Sequence, residues 1–300
     1  MEMFNSKVLK ERIGPLKKTK NLDILEQVEG YVIRKSKENN LEHSYDVIAE
    51  EMPYFKTMGY TEYATNFYCQ PLNSKFRTEA IIDAYNDDCE ILDYAEYLRQ
   101  NIKNKVSNKY TDRKQDFDKY EDKNYLVVLP GSNKLKQVAC LNKLKDIKER
   151  HGRNVYFKPH PITTHAIIGE IKDFFGEDCI LPRDIDMYYF LEKAKKVYTT
   201  HISESAIYSV ALGKEIEPID VWNQQQRGSF YAINHKLFDN QHDGVNFINK
   251  VFSSSKSGFF NPRLEENWKE KIDNYFEYII SKRNKYKNWY IDTAPKKNKK

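Results

Sequence analysis

The chain predicts an α/β fold: a Rossmann-like parallel sheet joined to a smaller, helix-rich N-terminal domain. Three observations carry this. Between residues 125 and 221 short apolar runs alternate with stretches of helical periodicity, the pattern of a right-handed, doubly wound parallel sheet. The first run, YLVVL at 125–129, is continuously apolar, as in a strand buried on both faces. Ahead of it, residues 103–124 are highly charged and almost free of aliphatic side chains, which reads as an exposed linker and a domain boundary.

The elements follow in order. Residues 21–38 place Leu22, Leu25, Val28, Val32 and Ile33 at near-helical spacing. Residues 63–69 read as a short strand. Residues 76–102 read as one long helix, with Ala80, Ile81, Ala84, Ile91, Leu92, Ala95 and Leu98 recurring every three or four positions. After the strand at 125–129 come a Gly-Ser-Asn-Lys loop and a helix over 134–150. A second strand at 154–158 ends in Pro-His-Pro. A helix over 165–175, a short strand at 179–181 and a helix capped by Asp184 or Asp186 follow. A strand at 196–200 leads to a helix closed by Gly213 in the C′ position, and a last strand runs over 215–221. Residues 222–260 read as irregular and 262–290 as a long helix. The expected division is a helix-rich domain at 1–120, a Rossmann-like domain at 121–260, a helix at 261–292 and a basic tail at 293–300.

Composition narrows the class. The 300 residues are 40% hydrophobic and 14% aromatic, enough for packed cores and too much for a disordered chain. No run of about 18 apolar residues exists, so no transmembrane helix is expected. The first twenty residues lack the apolar core of a secretory signal. Four cysteines stand far apart without a Cys-x-x-Cys pair, which fits neither a zinc site nor a disulfide scaffold and points to a cytoplasmic setting. The net charge of +5 is uneven: residues 1–20 carry +4 and residues 282–300 carry +7, leaving −6 between them. A globally basic nucleic-acid binder has no such acidic body, although basic ends attract polyanions.

In an open α/β sheet, ligands bind outside the carboxyl ends of the strands. After the first strand stand Gly131, Ser132 and Lys134; after the second, Lys158 and His160; after the fourth, Thr200, His201, Ser203 and Ser205. Small hydroxyl residues and backbone amides at a helix start bind anions, and nearby cations stabilise a departing phosphate. The two prolines around His160 restrict the backbone that carries it. A phosphate or diphosphate site is therefore expected there. Neither a P-loop nor a Gly-x-Gly-x-x-Gly motif is present.

FKPHP at 157–161 and VYTTHISESAIYSVALGK at 197–214 carry a resemblance. Residues 125–221 resemble the nucleotide-binding half of GT-B glycosyltransferases. The likeness is to the group with a histidine-proline motif and a downstream serine motif: bacterial sialyl- and polysialyltransferases, capsule transferases and polyol-phosphate transferases. The resemblance implies a GT-B-like fold, with residues 1–120 as the acceptor-side domain, 121–260 as the nucleotide-sugar-binding domain and the helix at 261–292 returning to the N-terminal domain. It implies that His160 meets the phosphate of a nucleotide sugar, with Ser203, and Ser205 or Thr200, binding the same phosphate. Where the family often carries two adjacent hydroxyls, this chain has Ser203-Glu204-Ser205.

The activity so implied is transfer of a sugar from a nucleotide-sugar donor, UDP- or CMP-linked, to a hydroxyl acceptor. An inverting transfer needs a base; Asp46 and Glu50, in an apolar setting that raises a carboxyl pKa, are the first candidates. Asp184 and Asp186 form an Asp-x-Asp pair, but it reads as a helix cap. No metal and no resident cofactor are therefore expected. The acceptor is a glycan or, as in the compact phage DNA glycosyltransferases, a hydroxymethylated base in DNA. Alternatives are a nucleotide- or glycan-binding module without catalysis and a sugar-nucleotide epimerase of GT-B fold.

Overall fold

A computed structural model describes residues 27, 31–32, 34–35, 38–39, 67–68, 74–103, 114–131, 135, 140–161, 163–220 and 230–293. The chain divides into two compact units, one containing Tyr110–Val245 and one containing Thr19–Lys109 and Asn246–Lys300.

The first unit is α/β. Its strands are β2 (Tyr125–Val128), β3 (Val155–Lys158), β4 (Lys196–Thr199) and β5 (Glu215–Pro218). They form one parallel sheet in the order β3-β2-β4-β5. Val128 pairs with Lys158, Val127 with Tyr198 and Thr199 with Pro218, so all four carboxyl ends lie at one edge. Successive connections run outward in opposite directions from β2 and β4, which makes the gap between those two strands the topological switch point. The apolar runs are buried as continuous strands because helices supply the core on which they pack. Helix α3 (Leu141–His151) buries Leu144 and Ile147, and α4 (His165–Phe175) buries Ile167, Ile171 and Phe175. The Phe175 ring stacks on Phe157 of β3 at 4.4 Å. Helix α5 (Met187–Lys193) is capped by Asp186, whose carboxylate accepts from the Tyr188 amide. Helix α6 (Ser205–Ala211) is buried along its whole length and is followed by Gly213 at φ +69°, a conformation few other residues adopt. Helix α7 (Tyr231–Asp239) and the start of α8 (Gly244–Ser253) complete the unit.

The second unit is mostly helical. It holds β1 (Phe67–Tyr68) paired antiparallel with β6 (Phe259–Phe260), α1 (Ser74–Tyr85), α2 (Tyr94–Lys103), most of α8, and α9 (Trp268–Thr293). Distant polar ties knit it together. Tyr278 donates to Asp83 at 2.8 Å, and Tyr31 donates to Asp273 at 2.9 Å. Lys271 is buried between Glu265, to which it is bonded, and the Phe252 carbonyl at 2.5 Å. Burial pushes its ammonium pKa down while Glu265 pulls it up, and burial wins.

Three readings of the sequence are corrected. The long helix expected over 76–102 is two helices, because Asp93 caps a fresh start: its carboxylate accepts from the Glu96 amide at 2.9 Å. The helix expected over 134–150 is interrupted: Leu135 is helical, but Cys140 is extended, its amide bonds to the Ile219 carbonyl, and α3 starts afresh at Leu141. Residues 222–260 are not irregular where described: they hold α7, α8 and β6.

Candidate functional site

The carboxyl edge of the sheet brings three strand-end segments together: residues 129–131 after β2, 159–164 after β3 and 200–205 after β4. Leu129 continues the pairing, its amide donating to the Lys158 carbonyl at 3.0 Å, so Gly131 and His160 leave adjacent strands at the same level.

The β3 segment is a turn closed by the Thr163 amide on the His160 carbonyl at 2.8 Å. His160 is half-buried at its head. Lys158 is only 1% exposed, and its ammonium points into the protein, donating to the carbonyls of Pro159 at 2.7 Å and Arg183 at 2.9 Å. The prolines leave this turn short of N–H donors and rich in carbonyls, which is why an ammonium settles among them. Arg183 answers from the other side: its guanidinium donates to the Thr163 carbonyl at 2.8 Å and lies 3.0 Å from the His165 ring. The neighbouring Asp184 pairs with Lys114 at 2.8 Å. Burial raises the Asp184 carboxyl pKa, but the Lys114 bond and the Lys158 charge outweigh it and hold it below its ordinary value.

The β4 segment is built on a chain of hydroxyls. Thr199 and Ser205 lie 2.6 Å apart and Ser205 and Ser203 2.7 Å apart, and the Ser205 amide donates to the Ser203 hydroxyl. Ser205 is 2% exposed and forms the buried middle of this chain, while Ser203 is its outer end. Behind the loop, the Asp220 carboxylate accepts both the backbone amide of His201 at 2.8 Å and its ring Nδ1 at 2.7 Å. Asn234 of α7 donates to the carbonyls of His201 and Ser203 at 2.8 and 2.7 Å. Tyr231 and Phe238 close on the His201 ring. Burial and the Asp220 charge push the Tyr231 phenol up to about 12. Two buried hydroxyls at this edge, those of Thr163 and Thr200, have no hydrogen-bond partner among the described residues. Such orphans are uncommon in native interiors.

Of the residues expected at the site, Gly131, Lys158, His160, Thr200, Ser203 and Ser205 stand at this one edge. Ser132 and Lys134, and the candidate bases Asp46 and Glu50, lie outside the described residues. Sequence reasoning passed over Asp220, Asn234 and Arg183. Asp220 was hidden because the strand expected over 215–221 covered it, whereas β5 ends at Pro218 and leaves Asp220 just beyond the strand end. Asn234 lay in the stretch taken as irregular, and Arg183 sat in a loop after a single bridged residue, Ile180. Among the described residues, no group of three or more His, Cys, Asp or Glu could hold a metal ion, and no helix is long and apolar enough to cross a membrane.

No protein-family model and no curated protein sequence matches the chain. Among solved structures it is similar to one described as an S. aureus MnaA–UDP co-structure, at 12% identity and a TM-score of 0.32, covering 88% of this chain and 82% of that one. A likeness of that size carries no functional argument.

Proposed function

We propose that the chain is a metal-independent glycosyltransferase of GT-B type, moving a sugar from a nucleotide-sugar donor to a hydroxyl acceptor on a glycan or a modified DNA base. The observation that carries this reading is the switch point. The gap between the carboxyl ends of β2 and β4 is where open parallel sheets bind nucleotides, and the Gly131 and Thr200–Ser205 segments flank it, with His160 one strand away.

In this reading Ser203 and the backbone around Gly131 bind the donor phosphate. The acceptor oxygen attacks the anomeric carbon, the bond from that carbon to the phosphate oxygen breaks, and the electron pair leaves with the phosphate. His160 donates a hydrogen bond or proton to that oxygen. The acceptor proton goes to a carboxylate, for which Asp46 and Glu50 are the candidates. Ser205 and Lys158 act through the backbone and hydroxyl they hold.

The test begins with a thermal-shift screen against UDP, GDP, CMP, CDP and ADP. Stabilisation by one of them identifies the donor; none at millimolar concentration sinks the reading. Ser203→Ala then weakens that nucleotide by about 1–2 kcal/mol in calorimetry, the loss expected for one charge-assisted hydrogen bond. His160→Ala lowers turnover by roughly 10²–10⁴ with the fold intact. Full activity in that variant removes His160 from the chemistry.

A further inference from the structure

Resting on that reading, we infer that Arg183, a residue outside both sequence motifs, is the cation that meets the donor phosphate beside His160. Two lysines at this edge are already committed. Lys158, the cation inside the histidine-proline motif, is buried and turned inward onto two carbonyls. Lys114 is paired with Asp184. Arg183 is different: it is only partly buried, and it bonds the neutral Thr163 carbonyl and meets the His165 ring. Its adjacent carboxylate, Asp184, is already taken by Lys114.

A guanidinium has five N–H donors in a planar fork. Two of its nitrogens are used here to fix the plane against the turn that begins at His160. The remaining donors keep the geometry that suits two oxygens of one phosphate, which an ammonium lacks. Because Arg183 grips the Thr163 carbonyl and the Thr163 amide closes on the His160 carbonyl, the guanidinium is held against the turn that carries His160. That turn also carries the buried Thr163 hydroxyl, which has no partner among the described residues. The first turn of the eleven-residue α4 begins here too, and its dipole favours negative charge at the same place.

The experiment compares the parent with Arg183→Gln, which keeps a neutral donor for the Thr163 carbonyl, and measures UDP, GDP, CMP, CDP, ADP and pyrophosphate by calorimetry. The expected result is binding of one of these nucleotides by the parent and a loss of roughly 10- to 100-fold in the variant at unchanged melting temperature. Arg183→Lys recovers part of the loss. Equal affinity in parent and R183Q overturns the inference and leaves the donor reading standing. Pyrophosphate bound in an Arg183-dependent way, with no nucleotide bound, keeps the anion contact and removes the donor reading. Failure of all six ligands on the parent removes both. A footprint on the parent needs no variant, in case R183Q does not fold. Phenylglyoxal modification of Arg183, mapped by mass spectrometry, is slowed several-fold by the ligand that binds; an unchanged rate overturns the inference.

Discussion

The turn after β3 and the loop after β4 both leave the sheet at one edge, and both read in sequence as phosphate contacts. They are held in opposite ways. The β3 turn, flanked by prolines, presents carbonyls to the interior, and a cation is buried to satisfy them: the Lys158 ammonium, with Arg183 outside it. The β4 loop presents the His201 amide and imidazole, and an anion is buried to satisfy those: the Asp220 carboxylate, with Asn234 taking the remaining carbonyls. A charged residue in a strand-end motif is thus no guide by itself to what faces a ligand. The polarity of the backbone it serves decides whether it turns inward.

The comparison is broken most directly by removing the two buried charges. Asp220→Ala leaves a buried amide and an imidazole without their acceptor and is expected to cost about 3 kcal/mol of unfolding free energy, in the range for breaking a buried charged contact. Lys158→Met fills the same space without the charge. It strands two carbonyls, but it also removes an ammonium whose burial was itself unfavourable, so the expected loss is smaller, about 2 kcal/mol. Denaturant titrations of both variants check the order. If Lys158→Met proves neutral, the ammonium is not what holds the proline turn, and its side chain would be available for a ligand after all.

How much of this was legible follows from the same contrast. The parallel sheet was readable because β2 and β3 hold contiguous apolar runs, such as Leu126–Val128 and Val155–Phe157, and the two motifs sit next to their strands, whereas β5 (Glu-Ile-Glu-Pro) shows only one buried apolar residue. The helical regularity of Phe247, Ile248, Val251 and Phe252 was also on the page, although that stretch read as irregular. The break between α1 and α2 was not visible to periodicity alone. It depends on the Asp93 cap and on Ser253 and Asn249, which accept from the Leu92 and Ala95 amides across more than 150 residues of sequence. At the site, residue types located His160 and Ser203. Which side chain points inward could not be read, because it depends on partners such as Asn234 and Arg183 that meet the motifs only in three dimensions.

The smallest expected effect sharpens the contrast through pH. His235, on α7 next to Asn234, has its ring 6.2 Å from that of His201 and its Nδ1 3.5 Å from Asp239. Burial lowers its pKa most; Asp239 pulls upward, His201 and Lys236 push down, and the result lies below the ordinary histidine value. The unfolded chain therefore takes up a proton at a higher pH than the folded protein does. Above about pH 7 both forms are neutral and the residue contributes nothing. As the pH falls through about 6.5, the unfolded state gains the proton first and stability drops, levelling off only below the folded pKa. His235→Gln removes this dependence. The difference in melting temperature between variant and parent should be flat above about pH 7 and move in the variant's favour on acidification. Amide exchange read in the same pH series should show the parent loosening at 200–205, which Asn234 of α7 holds, before it loosens at 160–163, which rests on Lys158 and Arg183. A variant-minus-parent difference that stays constant from about pH 8 to 5 would mean that His235 titrates alike in both states. Equal loosening of the two segments would mean that α7 does not hold the β4 loop independently of the β3 turn.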